Sequence, residues 1–155
     1  MAVKRTPEQE EVVKNRGGAL LVSAAAGSGK TRVLVERLMD YILQEGRNID
    51  EFLIITFTRA AAEELRARIA KEIAEALAAQ PDHAHLRQQT VRLYETQIST
   101  IHAFCTVLLR QWGHLLDIPG DFALCEDEEA QVLMTRTLNQ VLEARYEEID
   151  PTGPF

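Results

Sequence analysis

Cysteine is scarce: Cys105 and Cys125 are the only two in 155 residues, and neither has a CxxC or CxxH neighbour. A disulfide framework and a cysteine-based zinc site therefore have no basis, and the apolar neighbours of both thiols predict burial. Glycine and proline are also few, 8 and 5, beside 46% hydrophobic and 26% charged residues. Such a chain folds around a core rather than staying disordered or forming a fibre. No apolar run approaches the roughly 18 to 20 residues that cross a bilayer. Residues 1–11 are already charged and contain no signal-peptide core, so the expected location is cytoplasmic, with no membrane partner. A length of 155 residues suits one domain and is too short for two well-buried cores, which leaves a single domain or a piece of something larger.

Positive charge is short as well, with 17 Lys and Arg against 24 Asp and Glu and a net charge of −7. Spread evenly, that balance would repel nucleic-acid phosphates. From Asp117 onward, however, ten acids face two bases, Arg136 and Arg145, so that stretch carries −8 and the first 116 residues carry +1. The body can still present a local basic groove, and the total charge decides nothing about partners.

What the chain does contain is an alternation of helix and strand patterns. Thr6-Pro7-Glu8-Gln9 reads as a capped helix start, with a short helix to about Arg16 and a stop at Gly17-Gly18. Residues 19–23 form an apolar run suited to a buried parallel strand. After a glycine-bearing turn, Val33, Leu34, Arg37, Leu38, Tyr41 and Ile42 repeat at helical spacing, and Gly46 is placed to end that helix. Residues 52–57 predict the next strand. Residues 60–79 give the clearest helix, with Ala61, Leu65, Ile69, Ile73 and Leu77 as its inner stripe and Glu64 paired to Arg68. Further helices are expected at 84–94, 101–116 and 126–146, a strand at 97–100, a turn at 118–121, an extended run at 122–125 and no regular pattern at 151–155. The expected fold class is α/β, a parallel sheet flanked by helices. Three or four strands are few for such a sheet, a first sign of an incomplete domain. Residues 1–116 form its body, and 117–155 form an acidic helical segment.

The chemistry concentrates at Ala24-Ala25-Ala26-Gly27-Ser28-Gly29-Lys30-Thr31, between an apolar run and a helix. Backbone N–H groups curled at a helix N-terminus can hold the crowded charges of a nucleoside triphosphate, and Gly27 and Gly29 let the backbone come close. Lys30 supplies a point charge for the β and γ phosphates, and the Thr31 hydroxyl can complete a Mg²⁺ shell. The usual pattern opens with Gly where Ala24 stands. The motif points to ATP and Mg²⁺ as cofactors and is silent about the reaction.

Four segments taken together, in order and spacing, resemble the opening motifs of the UvrD/Rep-like superfamily 1 DNA helicases. They are Thr6 to Gln9, Ala24 to Thr31 with Arg32 behind it, Ile55-Thr56-Phe57-Thr58-Arg59-Ala60-Ala61-Ala62-Glu63-Glu64-Leu65, and Ser99-Thr100-Ile101-His102-Ala103-Phe104-Cys105. Within that group the wording of the loop, of residues 100–105 and of Phe122 with Glu126 to Ala130 is most similar to the AddA family. The resemblance implies a P-loop NTPase fold of the RecA-like kind, here an incomplete first motor domain. It also implies an ATP-dependent 3′-to-5′ DNA helicase and nuclease that processes double-strand DNA ends for repair and recombination, in a heterodimer with AddB.

The resemblance makes Gln9 the reader of the adenine edge, although the same side chain could instead only close a capping box. Lys30 and Thr31 become the catalytic pair of the loop, with Arg32 beside the nucleotide. Thr56, Phe57, Thr58 and Arg59, with Thr100 and His102, become contacts to single-stranded DNA. Phe57 could equally be the last core residue of its strand, and His102 a local hydrogen-bonding group. His83-Ala84-His85 lacks a third metal ligand and is expected to be solvated. The carboxylate pair that positions Mg²⁺ and the arginines of a second motor domain are not evident in the sequence. Glu126-Asp127-Glu128-Glu129 opens a helix, where acids are stabilising. The chain by itself is therefore expected to be inactive as an ATPase. The rival reading is a self-contained P-loop nucleotide-binding module without motor action.

Overall fold

Side-chain caps decide where most of the helices begin. In the computed structural model, which describes residues 5–148, Thr6 caps α1 (Pro7–Lys14) through a reciprocal capping box with Gln9. Thr58 Oγ1 accepts from the Ala61 N–H at 3.1 Å and starts α3 (Arg59–Ala79). Between them, α2 (Lys30–Glu45) begins at Gly29 with no side-chain cap and ends at Gly46 in the left-handed region, φ 66°. His83 caps α4 (Ala84–Arg92) by accepting from the Leu86 N–H. Thr100 Oγ1 accepts from the Ala103 N–H at the start of α5 (Ile101–Trp112). A run of acids opens α6 (Asp127–Glu148). The expectation for residues 151–155 lies outside the described residues.

Two strands, β1 (Leu53–Thr56) and β2 (Gln97–Thr100), pair in parallel with Leu53 opposite Gln97 and Thr56 opposite Thr100. Parallel strands need a crossover, and α3 with α4 supplies it. The core gathers where α2, α3 and the inward residues Ile54 and Ile98 meet, with Ile42, Ile69, Ile73 and Leu86 at its centre. On α3 the buried stripe is Ala62, Leu65, Ile69 and Ile73, so Ala62 takes the place expected for Ala61. One buried polar residue ties the layers: Gln89 Oε1 accepts from the Ile49 N–H at 2.8 Å, and its amide donates to Asn48 Oδ1 at 3.1 Å.

Several expectations are corrected. Residues 19–23 form no strand, and Leu21 in their middle is 94% exposed. An apolar run becomes a strand only against a hydrogen-bonding neighbour, and the sheet of the described residues stops at β1 and β2. Residues 122–125 likewise pair with no strand among the described residues. Cys105 and Cys125 are exposed rather than buried. Neither His83 nor His85 is merely solvated, since His83 is a cap and His85 Nε2 sits 3.1 Å from the Arg47 carbonyl oxygen. By contact density the chain divides into residues 1–108 and 109–155. In the second unit, Ile118 folds back so that its N–H reaches the Gly113 carbonyl, and Val132, Leu138 and Val141 of α6 are exposed. No helix among the described residues is long and apolar enough to cross a membrane.

Candidate nucleotide and nucleic-acid site

The loop at residues 24–31 is shaped by two glycines in the left-handed region, Gly27 at φ 77° and Gly29 at φ 87°. Side chains rarely adopt that backbone, so glycine at both positions is what lets the loop curl. The curl closes with the Ser28 N–H donating to the Ala25 carbonyl at 3.3 Å and delivers the chain into α2. The first turn of α2 holds no acid and receives no side-chain cap, so its N–H groups keep their donor capacity for an anion. Lys30 lies on the same loop, its Nζ donating to the Ala24 and Ala25 carbonyls at 2.6 and 2.7 Å. Thr31 is exposed beside it. Two left-handed glycines, uncapped N–H donors and an ammonium group make a donor set with the chemistry of a phosphate cradle, and the residues present fit a triphosphate with its metal ion.

Gln9 serves two neighbours at once. Its Oε1 accepts from the Thr6 N–H at 3.1 Å, closing the capping box, while its Nε2 donates to the Ser28 carbonyl at 3.2 Å. Closing the cap and facing the loop are thus not exclusive, because opposite ends of one amide carry them. A cavity of about 540 Å³ opens between α1 and the loop, lined by Gln9, Val12, Leu20, Lys30, Val33 and Arg37.

Ion pairs hold α1 against α2. Arg5 reaches Glu36 at 2.7 Å, Lys14 reaches Asp40 at 2.9 Å, and Arg16 pairs with both Asp40 and Glu45. Arg37 donates to the Val12 carbonyl and to the Tyr41 hydroxyl, and the Arg16 guanidinium lies 4.1 Å from the Tyr41 ring centre. Burial works against the charge on Glu36, yet hydrogen bonds from Arg32 and Arg5 hold its carboxyl below the ordinary range. Burial likewise opposes the charge on Asp40, and Lys14 and Arg16 hold that carboxyl down. A carboxyl that titrates lower when folded stabilises the fold above its unfolded value, and that contribution is lost as pH falls through the folded value. Thermal melting should therefore be flat from neutral pH to about 5 and drop below about 4. Asp40→Asn should lower the melting temperature at neutral pH and have little effect in acid; an equal loss at both would contradict this account.

The second group of residues lies at the C-terminal ends of β1 and β2. The parallel register sets Thr56 opposite Thr100, so Phe57, Thr58 and Arg59 emerge beside Ile101 and His102. Thr56 Oγ1 donates to the Thr58 carbonyl at 2.9 Å, and the Thr58 and Thr100 hydroxyls cap α3 and α5. Phe57 is 104% exposed, so it is no core residue of the strand. Arg59 and His102 are exposed in the first turns of their helices. Arg66, a further cation on α3, is instead used within the fold, donating to the Leu93 and Thr96 carbonyls. The role of Glu36 in joining Arg5 to Arg32 escapes a reading of the sequence. An acid four residues after Arg32 signals the helical pair, but nothing local signals Arg5.

Over residues 5–152 the chain matches the family described as UvrD/REP helicase N-terminal domain. It is 46% identical over 145 residues to an ATP-dependent helicase/nuclease protein of Lachnoclostridium phytofermentans, covering 92% of this chain and 10% of that protein. The proteins of the same name from Oceanobacillus iheyensis and Staphylococcus saprophyticus are 42% and 41% identical, over 96% and 94% of this chain and 12% of each relative. The chain thus spans about a tenth of the length of these curated relatives.

Proposed function

This chain belongs to the UvrD/REP helicase N-terminal domain family, and from that premise we propose that it is the ATP-binding start of an ATP-dependent 3′-to-5′ DNA helicase and nuclease. The observation that carries the proposal is the glycine-curled loop feeding the uncapped N-terminus of α2. The N–H groups of residues 29–31 and the Lys30 ammonium would hold the phosphates of ATP, and Thr31 would hold Mg²⁺. Gln9 would meet the adenine edge, and Arg32 would lie beside the nucleotide. The metal supplies neutralisation of phosphate charge. Residues 1–116 form the nucleotide-binding body in this reading, and 117–155 begin an inserted subdomain.

Thr56, Phe57, Thr58, Arg59, Thr100 and His102 would form part of a track for single-stranded DNA. The whole protein would act on double-strand DNA ends in repair and recombination, paired with AddB, in the cytoplasm. A fully exposed aromatic next to a strand end favours this reading over a nucleotide module with no motor role, because such a module has no use for a stacking surface. The test is calorimetric titration of the chain with Mg-ATP: saturable binding is expected, and no heat together with no thermal shift would overturn the proposal.

A further inference from the structure

Glu36 lies one helical turn beyond Arg32 and outside the phosphate loop. Its Oε1 accepts from Arg32 Nε at 2.7 Å, and its Oε2 accepts from Arg5 Nε at 2.7 Å. Arg5 directly precedes the cap of α1 and also reaches Glu10 Oε2 at 2.9 Å. One carboxylate, with its side chain 20% exposed, is therefore shared by the arginine behind the loop and by the segment that starts the Gln9 helix. Apart from the Gln9 amide on the Ser28 carbonyl, that helix has little other anchorage at its N-terminal end among the described residues. It is eight residues long, and Val13, near its far end, is its one buried side chain. A helix this short is not stable by itself, so polar ties fix where Gln9 sits.

We propose that Glu36 is a positioning residue for the nucleoside half of the nucleotide: it holds the Gln9 helix and Arg32 in one arrangement, so that base and phosphate are read as a unit. The inference rests on the nucleotide reading above. If α1 occupies its docked position for only a fraction of the time, apparent affinity falls by that fraction, and only for ligands that α1 contacts. Mg-tripolyphosphate, which has the phosphates but no base or ribose, separates the two halves.

Glu36→Gln keeps the size of the side chain and removes its charge. It should weaken Mg-ATP binding about fivefold to tenfold and leave Mg-tripolyphosphate binding as in the parent chain. Arg5→Gln cuts only the α1 side and should weaken Mg-ATP in the same selective way, which keeps the test open if Glu36→Gln unfolds. Glu64→Gln breaks an exposed ion pair on α3 and should change neither ligand. Unaltered ratios of the two affinities in Glu36→Gln and Arg5→Gln, or parallel losses for both ligands, would overturn the role of Glu36. Mg-ATP and Mg-tripolyphosphate binding that survives Lys30→Ala would instead overturn the nucleotide reading itself.

Discussion

Lys30→Ala should remove Mg-ATP binding without unfolding the chain. Lys30 is exposed, and among the described residues its Nζ donates to the carbonyls of Ala24 and Ala25 on its own loop. Truncation therefore costs the core nothing. What is lost is an ammonium group that can turn from the loop carbonyls to phosphate oxygens. A charge-assisted hydrogen bond of this kind contributes about 3 kcal/mol, roughly a hundredfold in affinity. Calorimetry reads the loss directly. The thermal shift that saturating nucleotide gives the parent chain should vanish too, because only a ligand that binds the folded state raises its melting temperature. A native melting curve with parental affinity would remove Lys30 from the site.

Phe57→Ala should weaken binding of a labelled single-stranded oligonucleotide about fivefold to a hundredfold, the worth of one base stacked on an aromatic ring. The ring is fully exposed, so the variant should melt as the parent does. Duplex should bind more weakly than single strand, since paired bases cannot stack on a side chain. Arg59→Ala should act differently, weakening binding mainly at low salt through the loss of counterion release. With Arg66 engaged by the Leu93 and Thr96 carbonyls, few cations remain near the track, and the salt slope should be shallow. Fluorescence anisotropy across a salt series separates the two effects. Unchanged affinity in a folded Phe57→Ala variant would remove the DNA track from this end of the sheet.

The parts of the chain governed by nearby residues are legible in the sequence. Thr6 and Gly46 mark helix ends by local chemistry, and they do so in the structure. The Ile69 and Ile73 stripe follows from helical period alone. The residues of the loop at 24–31 are likewise readable, because the glycines and Lys30 act on their own backbone. Residues 19–23 mislead because strand formation depends on a partner that local composition does not supply. Both cysteines mislead for a similar reason, since apolar neighbours in sequence give burial only when another layer covers them. The Arg5–Glu36–Arg32 bridge joins residues 31 positions apart, beyond the reach of any spacing rule. Phe57, ambiguous in the sequence, is resolved by the strand ending at Thr56, one residue before the ring.

The order of the ion pairs, Arg5 to Glu36, Lys14 to Asp40 and Arg16 to Glu45, means that α1 and α2 run in the same direction. Parallel helices align their macrodipoles, so both amino-terminal ends point toward the loop that Gln9 and Lys30 share. Each such end is equivalent to about half a positive charge. Side by side they repel one another, and the flanking acids of α2 and bases of α1 offset that repulsion along the seam. At the loop the end of α2, with no acid in its first turn and no side-chain cap, leaves a local positive field, whereas Glu8 and Glu10 offset the end of α1. A chain of net charge −7 can thus draw a polyanion to one place on its surface while repelling it elsewhere.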